Sequence, residues 1–183
     1  MSEIEVVFEG PNVVGECPRW NERDKCLYWT DIYQPAIHCF DPANGQTGTW
    51  EMPESVGSFA FREEGGMIAG TRTGFAFIDL NSGGFCRLAN PLPNDPDMRM
   101  NDGRCDYGGR FWAGSMIESL DKPVGKLFRY DPDGTVTEMA DELICPNGIA
   151  FSPDGKTMYR SDSRQDTIWA SDFDVDSGTF SNE

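Results

Sequence analysis

Short apolar runs bounded by clusters of Gly, Asp, Asn and Pro recur along the chain, and no segment sustains a 3.6-residue apolar period over three turns. Runs such as CLYW at Cys26, MIA at Met67, RFWAGSM at Arg110 and TMY at Thr157 therefore predict strands separated by tight turns. Four segments align with one another: GECPRWNERDKCLYWTDI from Gly15, VGSFAFREEGGMIAGTR from Val56, MNDGRCDYGGRFWAGSM from Met100 and CPNGIAFSPDGKTMYRSDS from Cys145. Each holds one strand, a turn rich in Gly, Asp or Asn, and a second strand that ends in small or polar residues. A third strand follows in each, closed by a turn led by Asp41, Asp79, Asp131 or Asp174. Asp-Pro-x-x-Gly and Pro-Asp-Gly suit these turns, because Pro pre-sets φ and Gly tolerates its positive range.

The aligned positions Glu16, Gly57, Asn101 and Asn147 lie 41, 44 and 46 residues apart. A strand-and-turn unit of that length is one four-stranded propeller blade. The expected fold is all-β, a β-propeller with about four blades in this chain, as a single domain over residues 1–183. Its repeats cover approximately 13–54, 55–97, 98–142 and 143–183. The last repeat is expected to stop after its third strand, in DSGTFSNE. In a four-bladed ring the leading IEVVF (Ile4 to Phe8) is expected to close the ring by pairing near Ile168 to Phe173, whereas a six-bladed ring would need roughly two more blades than this chain holds.

Equivalent positions on the first strands converge on the channel of a propeller. Four residues before the markers Trp20, Phe61, Cys105 and Phe151 stand Glu16, Gly57, Asn101 and Asn147, three of them with oxygen-bearing side chains. A carboxylate with two amide oxygens suits a hard cation. The same residue types also cap turns, and spacing alone leaves both readings open. Arg99 shares a strand face with Asn101, as a clamp on a ligand or as one half of an ion pair.

Charge narrows the partners. With 31 acidic against 15 basic residues and a net charge of −16, the chain repels phosphate backbones and anionic membranes. Nucleic acid and membrane are therefore not expected as partners; a cation or a polar small molecule is. The N-terminus lacks the basic and apolar regions of a secretory signal, which predicts a cytoplasmic protein. Six cysteines without a C-x-x-C pair predict reduced, mostly buried thiols and no zinc ribbon. His38 is the single histidine and no G-x-S-x-G elbow occurs, which argues against a nucleophile paired with a histidine base. The Asp172–Glu183 stretch has acids at calcium-hand spacing, but Ser177 replaces the turn Gly and no helices flank it.

The stretches GECPRW, MRMNDGRCDYGGRFWAGSM and CPNGIAFSPDGKTMY resemble the regucalcin and gluconolactonase family of six-bladed propellers, the senescence-marker-protein group. The resemblance spans almost the whole chain. It implies metal-dependent hydrolysis of a sugar lactone, a divalent cation (Ca, Zn, Mn or Mg) held by Glu16 and Asn147, and a substrate contacted by Arg99, Asn101 and Glu118. It places a general-base Asp beyond Glu183, so the chain is expected to be the N-terminal two thirds of such an enzyme and weakly active alone. Two alternatives stand beside it. One is a calcium-binding regulatory propeller without turnover. The other is a protein-binding propeller of the YWTD type, suggested by Tyr28-Trp29-Thr30-Asp31 but not by the equivalent stretches in the other repeats.

Overall fold

The structure is a computed structural model that describes residues 4–93 and 95–182. Its sixteen strands form four antiparallel four-stranded sheets, each a meander of consecutive strands. The first sheet holds β1 (Gly15–Asn21), β2 (Cys26–Asp31), β3 (Ala36–Asp41) and β4 (Gln46–Glu51). The second holds β5 (Val56–Phe61), β6 (Met67–Thr71), β7 (Gly74–Asp79) and β8 (Gly84–Ala89). The third holds β9 (Met98–Cys105), β10 (Phe111–Ile117), β11 (Gly125–Tyr130) and β12 (Val136–Leu143). The fourth holds β13 (Pro146–Phe151), β14 (Thr157–Asp162), β15 (Thr167–Asp174) and β16 (Thr179–Ser181).

Asp-led turns close the third-to-fourth hairpins as their side chains dictate. Asp41, Asp79 and Asp174 each accept the amide two residues on, at 2.8, 3.0 and 2.9 Å. The fourth hairpin corrects one expectation: the chain supplies its own short fourth strand, β16, which pairs with β15. The edge expected to receive IEVVF is therefore occupied by β16. Ile4 to Phe8 form no strand, and Ile4 and Val6 are exposed while Phe8 packs on Trp29 and His38.

Alternation along the strands sends neighbouring side chains into different cores. Met67 and Ala69 face the first sheet with Ile37, Val56 and Phe59, whereas Ile68 faces the third sheet with Phe75, Met100 and Phe111. Phe111 and Ala113 share that second core, while Trp112 between them points into a third with Leu127, Ile149, Met158 and Phe173. Apolar cores thus lie between blades, one at each consecutive seam. No such cluster joins the fourth sheet to the first among the described residues, and the flanking Trp20 and Ile168 are 44% and 78% exposed. The four blades form an open arc. In β2, Tyr28 enters the first seam against Phe61, but Trp29 lies on the other face of the sheet and stacks on His38.

Asp31 ends β2 as a buried carboxylate that ties the entry and exit of the blade. It accepts the amides of Val13, Val14, Tyr33 and Gln34 at 2.8, 3.0, 3.2 and 3.3 Å. Asp162 does the same in the fourth blade for Ile144, Cys145, Arg164 and Gln165. Desolvation pushes the Asp31 pKa up, but the four donors together outweigh it and hold the carboxyl below its ordinary value. A depressed folded-state pKa contributes stability above the unfolded value and loses it as pH falls through the folded one. Asp31→Asn is accordingly expected to cost about 2 kcal/mol at neutral pH, with a gap to wild type that narrows in acid. Urea melts across the acidic range check this; a pH-independent gap would contradict it.

Candidate active site

The first strands of consecutive blades pack on one another, β1 on β5, β5 on β9 and β9 on β13, and so line the axis. Each of the four bulges at the same place. The register slips between Glu16 and Arg19 in β1, between Val56 and Ser58 in β5, opposite Gly114 in β9, and between Asn147 and Ala150 in β13. A bulge ends regular pairing and re-aims the side chains beside it. It therefore turns Glu16, Asn101 and Asn147 out of the sheet alternation. Cys17 and Gly148, the residues that follow Glu16 and Asn147, take φ of 51° and 66°. For Cys17 that conformation costs about 1 kcal/mol. It is held by a buried thiol against the Phe59 backbone, with N–H to Sγ at 3.4 Å.

Four of the five residues singled out from the sequence join one hydrogen-bonded chain. Arg99, 5% exposed, donates Nη1 to Asn101 Oδ1 at 2.7 Å and Nε to Glu118 Oε1 at 2.9 Å. Asn101 donates Nδ2 to the Pro146 carbonyl and to Asn147 Oδ1, both at 3.0 Å. Asn147 donates onward to Ser163 Oγ at 2.8 Å and to Cys145 Sγ at 3.5 Å. Both amide protons of Asn101 are thus engaged by the protein, which makes it a strut between the third and fourth blades with one Oδ1 lone pair left for a ligand. Glu16 stands outside this chain, exposed on β1.

Residues not singled out complete the site from the rim. Tyr33 donates its hydroxyl to Glu118 Oε2 at 2.7 Å from the loop after β2, and its ring lies 5.9 Å from the Arg99 guanidinium. Arg72, from the loop after β6, stands 3.8 Å from Glu118 Oε1 and donates to the Pro96 carbonyl. Beneath them Arg19 crosses the axis, donating to the carbonyls of Phe59 at 3.4 Å and Gly103 at 2.8 Å. The signal for the rim was present: Arg72, Glu118 and Ser163 each directly follow the second strand of their blade.

The chemistry on offer is polar positioning rather than a protein nucleophile. Burial pushes the Cys17 and Cys145 thiols up from their ordinary value, so neither supplies a thiolate at neutral pH. All six cysteines are free, with Cys17, Cys26 and Cys39 buried and Cys86 exposed. His38 is away from the site on β3, where Thr49 Oγ1 contacts its Nδ1 at 3.0 Å. Calcium takes about 6–8 oxygens, and among the described residues no three His, Cys, Asp or Glu side chains converge. Glu16 and Asn147 are hard-oxygen donors of the right type, but these four blades alone do not make a cage.

Fold and site define a propeller whose polar centre sits at the bulged inner strands. The chain belongs to the family described as SMP-30/Gluconolactonase/LRE-like region, which residues 14–183 match. It is 38% identical over 173 residues to a 6-deoxy-6-sulfogluconolactonase of Pseudomonas putida, covering 94% of this chain and 60% of that protein. It is 36% identical over 166 residues to an L-arabinolactonase of Azospirillum brasilense, covering 88% and 55%. A crystal structure of a regucalcin from Agrobacterium tumefaciens, described as a calcium-binding protein, superposes with a TM-score of 0.91 at 25% identity, covering 97% of this chain and 60% of that one. The chain thus spans 55% to 60% of the length of these relatives. No helix of the described residues is long and apolar enough to cross a membrane.

Proposed function

We propose that these blades belong to an enzyme that hydrolyses a sugar lactone. The observation that carries this reading is the buried Arg99, fixed by Glu118 and Asn101 at the inner end of β9 beside Asn147. Held at Nε by Glu118 and at Nη1 by Asn101 and the Met100 carbonyl, the guanidinium keeps Nη2 to bind a ring, hydroxyl or carbonyl oxygen and stabilise negative charge on it. Two lactonases among the relatives support the reaction class; they act on different sugars and leave the sugar open.

Metal dependence is part of the proposal. Glu16 and Asn147 would contribute to holding a divalent cation (calcium, zinc, manganese or magnesium), which when bound would polarise the lactone carbonyl. With the general-base Asp expected beyond Glu183, the 183 residues alone are proposed to turn over slowly. The excess of acidic groups and the free thiols support a cytoplasmic setting without nucleic-acid or membrane partners.

The test is turnover of a panel of aldonolactones by a protein that carries these blades in a complete ring, with added manganese, zinc or calcium. Release of acid no faster than the spontaneous rate would sink the reading. Within that assay Asn101→Ala is expected to lower kcat/KM about 100-fold, because Arg99 and Asn147 lose the strut that sets their spacing. Unchanged far-ultraviolet circular dichroism separates this from unfolding. A second reading, a calcium-binding propeller without turnover, is favoured by the likeness to the regucalcin structure. Calcium binding with no lactone hydrolysis would select it.

A further inference from the structure

Tyr33 is 50% exposed, yet both of its ends are fixed. Its hydroxyl donates to Glu118 Oε2 at 2.7 Å, and its backbone N–H donates to Asp31 Oδ1 at 3.2 Å. The chain on either side is anchored too. Ile32, 2% exposed, donates its amide to the Val14 carbonyl at 3.0 Å, and the Pro35 carbonyl receives the Met52 amide at 2.8 Å. The ring therefore has little freedom to turn away from the site. Trp20, Tyr107 and Tyr159 are exposed as well, but among the described contacts Tyr33 is the aromatic residue that reaches Arg99 and Glu118. The Arg99 guanidinium carbon lies 5.9 Å over the ring, wider than van der Waals contact, so it does not cap the ring face. A rigid aromatic face left open beside fixed polar groups suits a small polar ligand that also has an apolar side.

We infer, resting on the lactonase reading, that Tyr33 is a specificity-determining residue: its ring packs against the C–H face of the lactone ring and so favours the closed substrate over the open-chain product. A sugar lactone carries oxygens around its edge and C–H groups on its faces. Arg99 and Glu118 suit the edge, and Tyr33 suits a face. Hydrolysis adds water across the ring ester bond and opens the ring to a flexible, ionised hydroxy acid. That product keeps its hydroxyl groups for Arg99 and Glu118 but loses the flat face, and laying its chain along Tyr33 would cost conformational entropy. A site that holds its substrate by a ring contact releases the product once that ring is gone.

The experiment compares, by calorimetric titration of the ring-complete protein, the lactams of gluconic and arabinonic acid with gluconate and arabinonate. The lactams keep the closed ring and resist hydrolysis. Tyr33→Ala is expected to weaken the lactams about tenfold, the scale of burying one ring face, and to leave the open-chain acids within about twofold of wild type. Tyr33→Phe keeps the ring and loses the bond to Glu118, so it is expected to retain most of the preference for the lactams. If Tyr33 only straps the first blade to the third, Tyr33→Ala weakens closed and open forms alike and Tyr33→Phe behaves as Tyr33→Ala. Either result overturns the inference, as does a wild-type protein that binds no lactam or binds it no more tightly than the open acid. The lactonase reading is judged separately, by turnover of any lactone in the wild-type ring-complete protein.

Discussion

Replacing Trp112 with alanine is expected to lower the unfolding free energy by about 3–5 kcal/mol, the range for removing a fully buried aromatic side chain. The side chain is 0% exposed and holds the seam between the third and fourth blades. Its ring lies 5.9 to 6.1 Å from those of Phe151, Phe173 and Phe180, all on the fourth blade. Its Nε1 also donates to Asp106 Oδ2 at 2.9 Å, where the same oxygen receives Arg110 Nε at 2.7 Å. Truncation leaves a cavity and takes one of two side-chain donors from a buried carboxylate. Trp112→Phe keeps most of the ring and loses the donor, so about 1–2 kcal/mol is expected. Urea titrations of the three proteins give the comparison. A loss below 1 kcal/mol for the alanine variant would mean that this seam does not carry the fourth blade.

The second large effect is expected at a residue with no polar side chain. An alanine Cβ at Gly57 would lie 2.5 Å from the Met100 carbonyl oxygen and 2.7 Å from that of Asn101. Both are backbone atoms, so no side-chain rotation relieves the contact, and β9 must move away from β5. Overpacking of this kind costs about 1–3 kcal/mol. The functional cost is greater, because the displaced residues include Asn101 and flank Arg99, whose mutual contact is 2.7 Å. Misplacement on the scale of 1 Å lowers rates by about 100-fold. Gly57→Ala is therefore expected to impair lactone turnover as strongly as Asn101→Ala while contacting no substrate. Wild-type turnover by a folded Gly57→Ala protein would show that the axis tolerates the shift.

Gly57 also shows how far the sequence could be read. The repeat identified its position as the equivalent of Glu16, Asn101 and Asn147, yet the absence of a side chain there had no evident meaning. Its reason is steric, and sterics between two strands from different blades appear only when the blades are packed. The all-β repeat, the Asp-led hairpins and the grouping of Arg99, Asn101 and Asn147 were legible because each depends on spacing within a repeat or on equivalent positions in successive repeats. Three features were not. The pairing expected for Ile4 to Phe8 failed because Thr179–Ser181, only three residues long, occupies the edge of β15. The bulges that turn the site residues inward have no composition of their own. Tyr33 and Arg72 reach Glu118 across blades, through contacts separated by 85 and 46 residues. A search aligned on the ends of the second strands, rather than on the first strands, would have placed Arg72 beside Glu118 and Ser163.

The three separate seams have a consequence for how the molecule comes apart. With no shared centre of apolar packing, each blade buries apolar surface only against its neighbours, and loss of one end blade exposes a single seam. Such a chain of units behaves as a one-dimensional array, in which fraying starts at the ends and cooperativity decays with distance. The outer blades carry Glu16 and Asn147, whereas the inner pair carries Gly57, Arg99 and Asn101. Within these four blades the two proposed metal donors therefore sit on the outermost pair. Any ligand that spans them would act as a clasp, converting an array that melts from its edges into one that unfolds as a whole.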